Sequence, residues 1–247
     1  MCDIWVPVCA VHIRGTRGTS ICAQGIPRTL PGHSPDGVEQ PGYLSEDKRM
    51  DEPTFPEADL ESTLTGRLLV ASPELGDPNF ARTVVLLVDH DESGALGVVL
   101  NRPSTTDVGE ILPDWHLYAT PPQVVFQGGP VGRDSALALA ARVGGHGEHD
   151  EPLGFRHVSA DIGLVDLDSP AEAIAGSIRS MRVFAGYAGW GSDQLEAEIE
   201  QGAWYVVDAE PRDLASDDPE RLWTDVLRRQ PGSLAVVATF PDDPSLN

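Results

Sequence analysis

Three apolar segments of strand length, separated by turn residues, most strongly limit what this chain can fold into. They cover residues 67–72, 83–90 and 95–101, and each is rich in Val and Leu. Runs of this length bounded by Gly, Pro, Asp and Asn predict buried β-strands. The residues Asp91-Glu92-Ser93-Gly94 predict a hairpin-type turn between the last two segments. We therefore expect a sheet built around residues 66–103.

Further strands and several helices are predicted beyond this region. The predicted strands cover 123–127, 162–167, 182–187, 204–208 and 234–240, and the predicted helices cover 107–112, 169–179, 193–200 and 218–229. Residues 135–143 fit a helix by composition or a strand by alternation, and the strand is preferred. Because strands outnumber helices without regular alternation, we predict an α/β fold, a single compact mixed-sheet domain with flanking helices over residues 61–247.

Two helix starts carry capping signals. Thr106 is predicted to cap the helix that Pro113 ends. Ser169 and Glu172 form a capping-box pattern around Pro170, so their side chains are predicted to pair with free amides of the first turn.

Residues 1–60 have a different composition from the remainder. Pro and Gly recur there without an apolar period, which predicts a disordered tail. An alternative hypothesis is that translation starts at Met50 and the upstream stretch is not translated. All three cysteines, Cys2, Cys9 and Cys22, lie in this segment. Cysteine nucleophiles and zinc–thiolate sites are therefore excluded from residues 61–247.

The charge balance is strongly acidic. The net charge is −22, and from residue 54 onward there are 12 Arg, no Lys and 32 Asp or Glu. Such a surface repels DNA, so direct nucleic-acid binding is not expected and the partner is an unknown small molecule or protein. No apolar run reaches the roughly 20 residues of a membrane helix. The first residues do not resemble a secretory signal, and we expect a cytoplasmic protein without membrane contact.

Two polar motifs follow strand ends and are candidate binding residues. In Asp77-Pro78-Asn79-Phe80 the polar side chains are predicted to form a turn while Phe80 fills the core. The functional alternative puts Asp77, Asn79 and Arg82 at the rim of a pocket. In Asn101-Arg102-Pro103, Arg102 could bind an anion or pair with a carboxylate, and the acidic composition favours the salt bridge.

Two glycine-rich segments at the ends of predicted strands form a second group of candidates. Gly128 and Gly129 precede Pro130, and Tyr187 and Trp190 lie in the segment 186–191. Free amides there could bind a phosphate, but neither spacing matches a nucleotide-binding motif, so close backbone packing is the preferred interpretation. Tyr187 and Trp190 could line a pocket, although a core position is favoured.

Titratable residues give no complete catalytic set. His90 could act as a base or a ligand, but a hydrogen-bonded structural role is commoner. The cluster at 146–151 resembles a metal site, yet its flanking glycines favour a solvated loop, so no metal or cofactor is predicted. Asp193, Glu196 and Glu200 share a helix face and are predicted to be solvated.

Six motifs in order carry a family resemblance. They are Leu69-Val70-Ala71-Ser72-Pro73, Asp77-Pro78-Asn79-Phe80, Gly94-Ala95-Leu96-Gly97, Asn101-Arg102-Pro103, Gly128-Gly129-Pro130-Val131 and Gly186-Tyr187-Ala188-Gly189-Trp190. Over residues 64–241 the chain resembles the YqgE/AlgH family of bacterial proteins. The resemblance implies a compact mixed α/β domain and no established activity. One member's name reflects a proposed link to the regulation of alginate synthesis, which does not transfer to this chain.

The leading hypothesis is a non-enzymatic binding or regulatory protein. The alternative is a small-molecule-binding, hydrolase-like enzyme that uses His90 with Asp77 and Asn101 at neighbouring strand ends. Direct DNA regulation is a third hypothesis, which the charge opposes. No catalytic residue is assigned, and the candidate ligand-binding residues are Asp77, Asn79, Arg82, His90, Asn101, Arg102, Gly128, Gly129, Tyr187 and Trp190.

Overall fold

A curled β-sheet is the centre of the structure, a computed structural model that describes residues 11–12, 63–143, 154–159 and 161–241. These residues belong to one unit, Met1–Cys22 with Thr63–Asn247, and the other unit, Ala23–Ser62, lies outside the described residues. In the described part the strands are β1 Val11–His12, β2 Arg67–Ala71, β3 Val84–Asp91, β4 Gly94–Val99, β5 Pro103–Asp107, β6 Val124–Gln127, β7 Val131–Arg142, β8 Phe155–Ser159, β9 Ile162–Val165, β10 Ile178–Gly191 and β11 Trp204–Asp208.

Short helices flank this sheet. The α-helices of the described ranges are α1 Val108–Ile111, α2 Ala171–Ala175, α3 Gln194–Glu200, α4 Pro211–Leu214, α5 Leu222–Arg228 and α6 Leu234–Val237. Two 3₁₀ helices cover Pro113–Tyr118 and Pro219–Arg221. None of the helices described is long and apolar enough to cross a membrane.

The strand order is β11-β2-β3-β4-β10-β7-β9-β8, with β6 also paired to β10, β5 to β6 and β1 to β7. The β6–β10 pair is parallel, and the other pairs are antiparallel. The predicted mixed sheet with flanking helices is therefore confirmed.

Strand β10 joins the two halves of the sheet. Its first part pairs with β7 and its last part with β4, and the β7 register shifts between Ala185 and Tyr187. Gly186, inside this shift, has a φ of +73°. A side chain there would collide with the backbone oxygens of Gly129 and Val131. Glycine is therefore required at this bend for both its conformation and its close contacts.

The continuous apolar run in β2 follows from burial on both faces. Leu68 and Val70 pack in the core that includes α5, whereas Leu69 and Ala71 pack in a second core against α3. Alternate strand residues point to opposite faces, so a strand covered on both sides needs apolar residues throughout. This explains why the first predicted strands were the most clearly marked in the sequence.

The predicted strand at 234–240 is wrong, because these residues begin with helix α6. Leu234, Val237 and Ala238 contact the core that includes α5, while Val236 is 63% exposed. The contacting positions follow the i, i+3, i+4 spacing of a helix face. The β-branched composition of this short run concealed that spacing.

Both predicted capping arrangements are wrong. Ser169 Oγ donates to Asp166 Oδ2 at 2.9 Å, and α2 has Pro170 at its N-cap without a side-chain cap. At α1 the capping residue is Asp107, whose Oδ1 accepts from the Gly109 amide at 2.7 Å.

Element lengths also differ from prediction. Helix α2 ends at Ala175, and β10 begins at Ile178 instead of Arg182. The preferred strand at 135–143 is confirmed as part of β7, while β5, β8 and α4 were not predicted.

Three predictions concern residues that the structure largely leaves outside its described ranges. Apart from Val11–His12, which pairs with Ala136 and Ser135 of β7, the predicted tail and the Met50 start lie outside the described residues. The loop at 144–152, with its histidine cluster, lies outside them too.

Candidate ligand-binding cleft

Two of the polar motifs meet at a cleft of about 1030 Å³. The residues that line it are Pro73, Glu74, Leu75, Gly76, Pro78, Ala81, Arg82, Asn101, Arg102, Pro103, Gln127, Glu220, Phe240 and Pro241. Three predicted candidates, Arg82, Asn101 and Arg102, are therefore brought to one cavity. Asp77 and Asn79 belong to the turn that borders it.

Asn101 fixes the two strand ends that form the cleft. Its side chain is 5% exposed, Oδ1 accepts from the Val84 amide at 2.9 Å, and Nδ2 donates to the Arg82 carbonyl at 2.9 Å. The side-chain amide of Asn101 thus makes the hydrogen bonds that a neighbouring backbone would otherwise make at the start of β3. Arg82 has a φ of +54°, an uncommon value for a residue with a side chain. The bond from Asn101 stabilises this turn.

The Arg82 side chain connects the cleft wall to the C-terminal region. Its guanidinium lies 4.3 Å from the ring centroid of Trp223 and donates to the Phe240 carbonyl at 2.7 Å. It also donates to the Pro241 carbonyl. These contacts hold residues 240–241 in the wall of the cleft.

Arg102 is held by its own backbone and by one side-chain bond. Its carbonyl accepts from the Gln127 amide at 2.8 Å, and Nη2 donates to the Ala81 carbonyl at 2.6 Å. Among the described residues no carboxylate forms an ion pair with Arg102, so the preferred salt bridge is not found within the described ranges. The guanidinium is half-buried and lines the cleft.

A small recess of about 70 Å³ shares a wall with the cleft. It is lined by Pro78, Asn79, Val99, Arg102, Gln127, Gly129, Pro130 and Arg133. Arg133 Nη2 lies 3.4 Å from Asn79 Oδ1. The sequence pattern did not indicate Arg133, although it follows the Gly128-Gly129-Pro130-Val131 motif by two residues.

Asp77 forms the turn that the sequence predicted. Its Oδ1 accepts from the Asn79 amide at 2.7 Å, and its carbonyl accepts from the Phe80 and Ala81 amides at 2.9 and 2.7 Å. The side chain is exposed and does not line either cavity in the described structure. The turn thereby orients Asn79 toward Arg133.

Gly128 and Gly129 lie where two backbones approach closely. A Cβ at Gly128 would collide with the Gly186 carbonyl, and one at Gly129 would collide with the backbone of Tyr187. Gly128 is buried, and Gly129 also lines the recess. Close packing therefore explains both glycines.

Trp190 belongs to an aromatic cluster. Its ring centroid lies 6.2 Å from Phe80 and 6.0 Å from Trp204, and its side chain is 7% exposed. Tyr187 is half-buried and would contact a side chain placed at Gly132. Neither aromatic lines the cleft or the recess, so Trp190 occupies the favoured core position.

His90 does not line either cavity. Its Nδ1 accepts from the Leu64 amide at 3.0 Å, and Nε2 lies 2.7 Å from Glu196 Oε1. Glu196 is thus a hydrogen-bonded partner instead of the fully solvated residue expected from its helix face. Burial raises the pKa of Glu196, but hydrogen bonds from its own backbone amide and from His90 lower it overall.

The hydrolase-like set of His90, Asp77 and Asn101 does not share a cavity. Asn101 lines the cleft, Asp77 lies in the exposed turn, and His90 contacts Glu196. In the described ranges there is also no group of three or more metal-binding side chains.

Comparison with known proteins identifies relatives across this domain. The AlgH-like family model, DUF179, matches residues 68–235. A UPF0301 protein of Streptomyces coelicolor is 63% identical over 186 residues, which cover 75% of this chain and 96% of the relative. A UPF0301 protein of Thermobifida fusca is 52% identical over 194 residues, with coverage of 75% and 96%.

Solved structures agree with these sequence matches. A crystal structure of a Corynebacterium diphtheriae protein has a TM-score of 0.67 and 32% identity, over 73% of this chain and 93% of that one. The solution structure of the AlgH protein from Pseudomonas aeruginosa has a TM-score of 0.53 and 29% identity, over 78% and 100%. The chain therefore belongs to the AlgH-like family of bacterial proteins that its motifs resembled.

Proposed function

We propose that this protein is a non-enzymatic binding protein whose small-molecule ligand occupies the cleft. The supporting observation is the convergence of Arg82, Asn101 and Arg102 on one cavity of about 1030 Å³. Cavities of this size, with apolar walls and a few fixed polar groups, are typical of ligand sites. A regulatory role would follow if ligand binding alters the contacts of Arg82 with residues 240–241.

The chemistry of the lining favours binding over catalysis. Among the described residues of the cleft wall there is no Ser, Thr, Cys, His or Lys. Glu74 and Glu220 are exposed. The wall therefore offers hydrogen bonds and charged groups of both signs, without a hydroxyl, thiol or amine nucleophile of the kinds that a neighbouring base activates.

Thermal-shift screening of the full chain against nucleotides, carboxylic acids and divalent ions tests this function. A ligand of the folded state raises the melting temperature by mass action. The blocking variant is Gly76→Trp, because Gly76 lines the cleft and has no heavy atom within 4 Å of an added Cβ. Gly176→Trp is the matched control, since Gly176 is equally open and does not line the cleft.

The expected result is a stabilising compound whose effect is lost in Gly76→Trp and retained in Gly176→Trp. Mass spectrometry should recover that compound unchanged after incubation with the protein. If a compound raises the melting temperature of Gly76→Trp as much as that of the original protein, the cleft is refuted as the site. Conversion of the compound to a product would refute the non-enzymatic assignment.

A further inference from the structure

The recess beside the cleft differs in charge from the chain as a whole. Its described lining contains Arg102 and Arg133 and no Asp or Glu, although the chain has a net charge of −22. These are two of the 12 arginines after position 53, where the chain has no lysine. Their convergence makes the recess a local cationic site in an acidic protein.

Both arginines retain hydrogen-bond donors for a ligand. A guanidinium has five N–H donors in a planar fork. Arg102 uses one of them on the Ala81 carbonyl at 2.6 Å, and Arg133 makes one long bond of 3.4 Å to Asn79. Within the described residues neither arginine forms an ion pair. The remaining donors suit the bidentate binding of carboxylate or phosphate.

The size of the recess matches one such group. Its volume is about 70 Å³, and a water molecule occupies about 30 Å³ in the liquid. The space therefore holds about two water molecules or a single oxyanion group. It has no room for a ligand body, which must extend elsewhere.

The adjoining cleft can accept that body. Pro78, Arg102 and Gln127 line both cavities, so the two spaces are neighbours. Much of the cleft wall is apolar, with the residues Pro73, Leu75, Ala81, Pro103, Phe240 and Pro241. An apolar body is stabilised there by removal of its surface from water.

We propose that the recess binds the oxyanion group of an organic acid or phosphate ester whose apolar body lies in the cleft. Arg102 and Arg133 bind the oxyanion from the recess wall, and Asn79 supplies an amide beside Arg133. This inference rests on the proposed binding function and specifies its ligand class. Such a ligand carries an oxyanion at one end and an apolar group at the other, which distinguishes it from a free inorganic ion.

Isothermal titration calorimetry of the full chain at fixed ionic strength tests the ligand class with four probes. Phenyl phosphate and benzoate carry both an oxyanion and an apolar ring, inorganic phosphate carries the oxyanion alone, and benzyl alcohol carries the ring alone. At least one of the first two should bind with a Kd tenfold or more below those of the last two. Comparing phenyl phosphate with benzoate decides between phosphate and carboxylate.

Variants then test the two arginines. Arg102→Gln and Arg133→Gln should each raise the Kd of the tighter probe tenfold or more. Arg133 is exposed, and among the described residues its side chain makes only the bond to Asn79, so its variant should fold even if loss of the Ala81 bond destabilises Arg102→Gln. Arg179→Gln is the matched control, because Arg179 is exposed and lines neither cavity.

The outcomes separate this inference from the proposed function. If benzyl alcohol binds as tightly as the charged probes, is blocked by Gly76→Trp and is unaffected by Arg133→Gln, the oxyanion assignment is overturned while cleft binding stands. If no charged probe binds at millimolar concentration, the oxyanion assignment is likewise overturned. If a charged probe binds and Gly76→Trp has no effect, the cleft itself is refuted.

Discussion

The imidazole Nε2 of His90 lies 2.7 Å from Oε1 of Glu196, so the end of β3 is joined to helix α3. The other ring nitrogen accepts from the Leu64 amide, and the His90 carbonyl accepts from Thr63 Oγ1 at 2.9 Å. Because Nδ1 is an acceptor, Nε2 carries the proton and donates to the carboxylate. His90 therefore fixes the chain entry before β2, which is a structural role.

The first prediction concerns the pH dependence of this contact. The pKa of Glu196 is lowered from 4.5 in the folded state, so its contribution to stability is complete above pH 4.5 and is lost as the pH falls through the folded value. Glu196→Gln should therefore flatten the loss of unfolding free energy between about pH 5 and pH 3. The effect should stay below about 1 kcal/mol, because the carboxylate is partly solvated. Urea denaturation across this range measures it.

Glu200→Gln is the matched control for that experiment. Glu200 lies on the same helix and is exposed. Its variant should keep the acid profile of the original protein. If both variants change the profile equally, general surface charge and not the His90 contact is responsible.

The second prediction concerns Glu198, which accepts from two buried indoles. Its Oε2 lies 2.9 Å from Trp190 Nε1 and 2.8 Å from Trp204 Nε1. Glu198→Ala leaves both indole N–H groups without this acceptor, and each unsatisfied buried donor costs about 1–3 kcal/mol. We expect chemical denaturation to show a loss of about 2–4 kcal/mol.

Two further variants test the cause of that loss. Glu198→Gln keeps an acceptor oxygen and should lose less than Glu198→Ala. Glu200→Ala, on the exposed face of α3, should change stability by less than about 0.5 kcal/mol. Equal losses in Glu198→Ala and Glu198→Gln would contradict an acceptor role.

The central strands were predicted well because a continuous run of apolar residues marks their burial. Leu68, Leu69, Val70 and Ala71 are each 0% exposed, and a strand covered on both faces produces an uninterrupted apolar run. Helix α6 was missed because its run of Leu, Ala and Val is too short for its periodicity to be separated from that of a strand. Local pattern alone does not decide such segments.

The site was predicted only in part for a different reason. Arg82, Asn101 and Arg102 were identified because they sit in polar motifs that end apolar strands. Arg133 and Glu196 were not assigned their partners, because the Asn79–Arg133 and His90–Glu196 contacts join residues 54 and 106 positions apart. Contacts of that separation depend on strand order, which the sequence did not determine.

The third prediction concerns the close backbone approach at Gly128. Its amide donates to the Ala185 carbonyl at 2.8 Å, and an added Cβ would collide with the Gly186 carbonyl. Because the Gly186 carbonyl belongs to the backbone, it has little freedom to move away from the added Cβ. Gly128→Ala should reduce the free energy of unfolding by at least about 2 kcal/mol.

Gly176→Ala provides the comparison for that substitution. Gly176 has a φ of −69° and no heavy atom within 4 Å of an added Cβ. Alanine fits this conformation, so the variant should be unchanged or stabilised by up to about 1 kcal/mol. Urea denaturation of both variants measures the difference, and equal stabilities would show that the β6–β10 approach is readily adjusted.

The fourth prediction concerns Arg182, a buried cation on β10. Its side chain is 1% exposed, and burial lowers its pKa to about 10, although Asp217 partly opposes this. It donates to the Ser216 carbonyl and lies 4.5 Å from the ring centroid of Phe126, while Nε and Nη1 have no partner among the described residues. Because folding disfavours the charged form of this base, the free-energy cost of burying Arg182 should decrease as the pH rises above about 10.

Two substitutions at this position test that cost at neutral pH. Arg182→Met retains the volume and removes the charge, so its unfolding free energy at neutral pH should equal or exceed that of the original protein. Arg182→Ala should instead lose about 2–4 kcal/mol through the cavity that it leaves. Urea denaturation compares the two variants, and a loss above about 2 kcal/mol in Arg182→Met would show that the contacts with Ser216 and Phe126 outweigh desolvation.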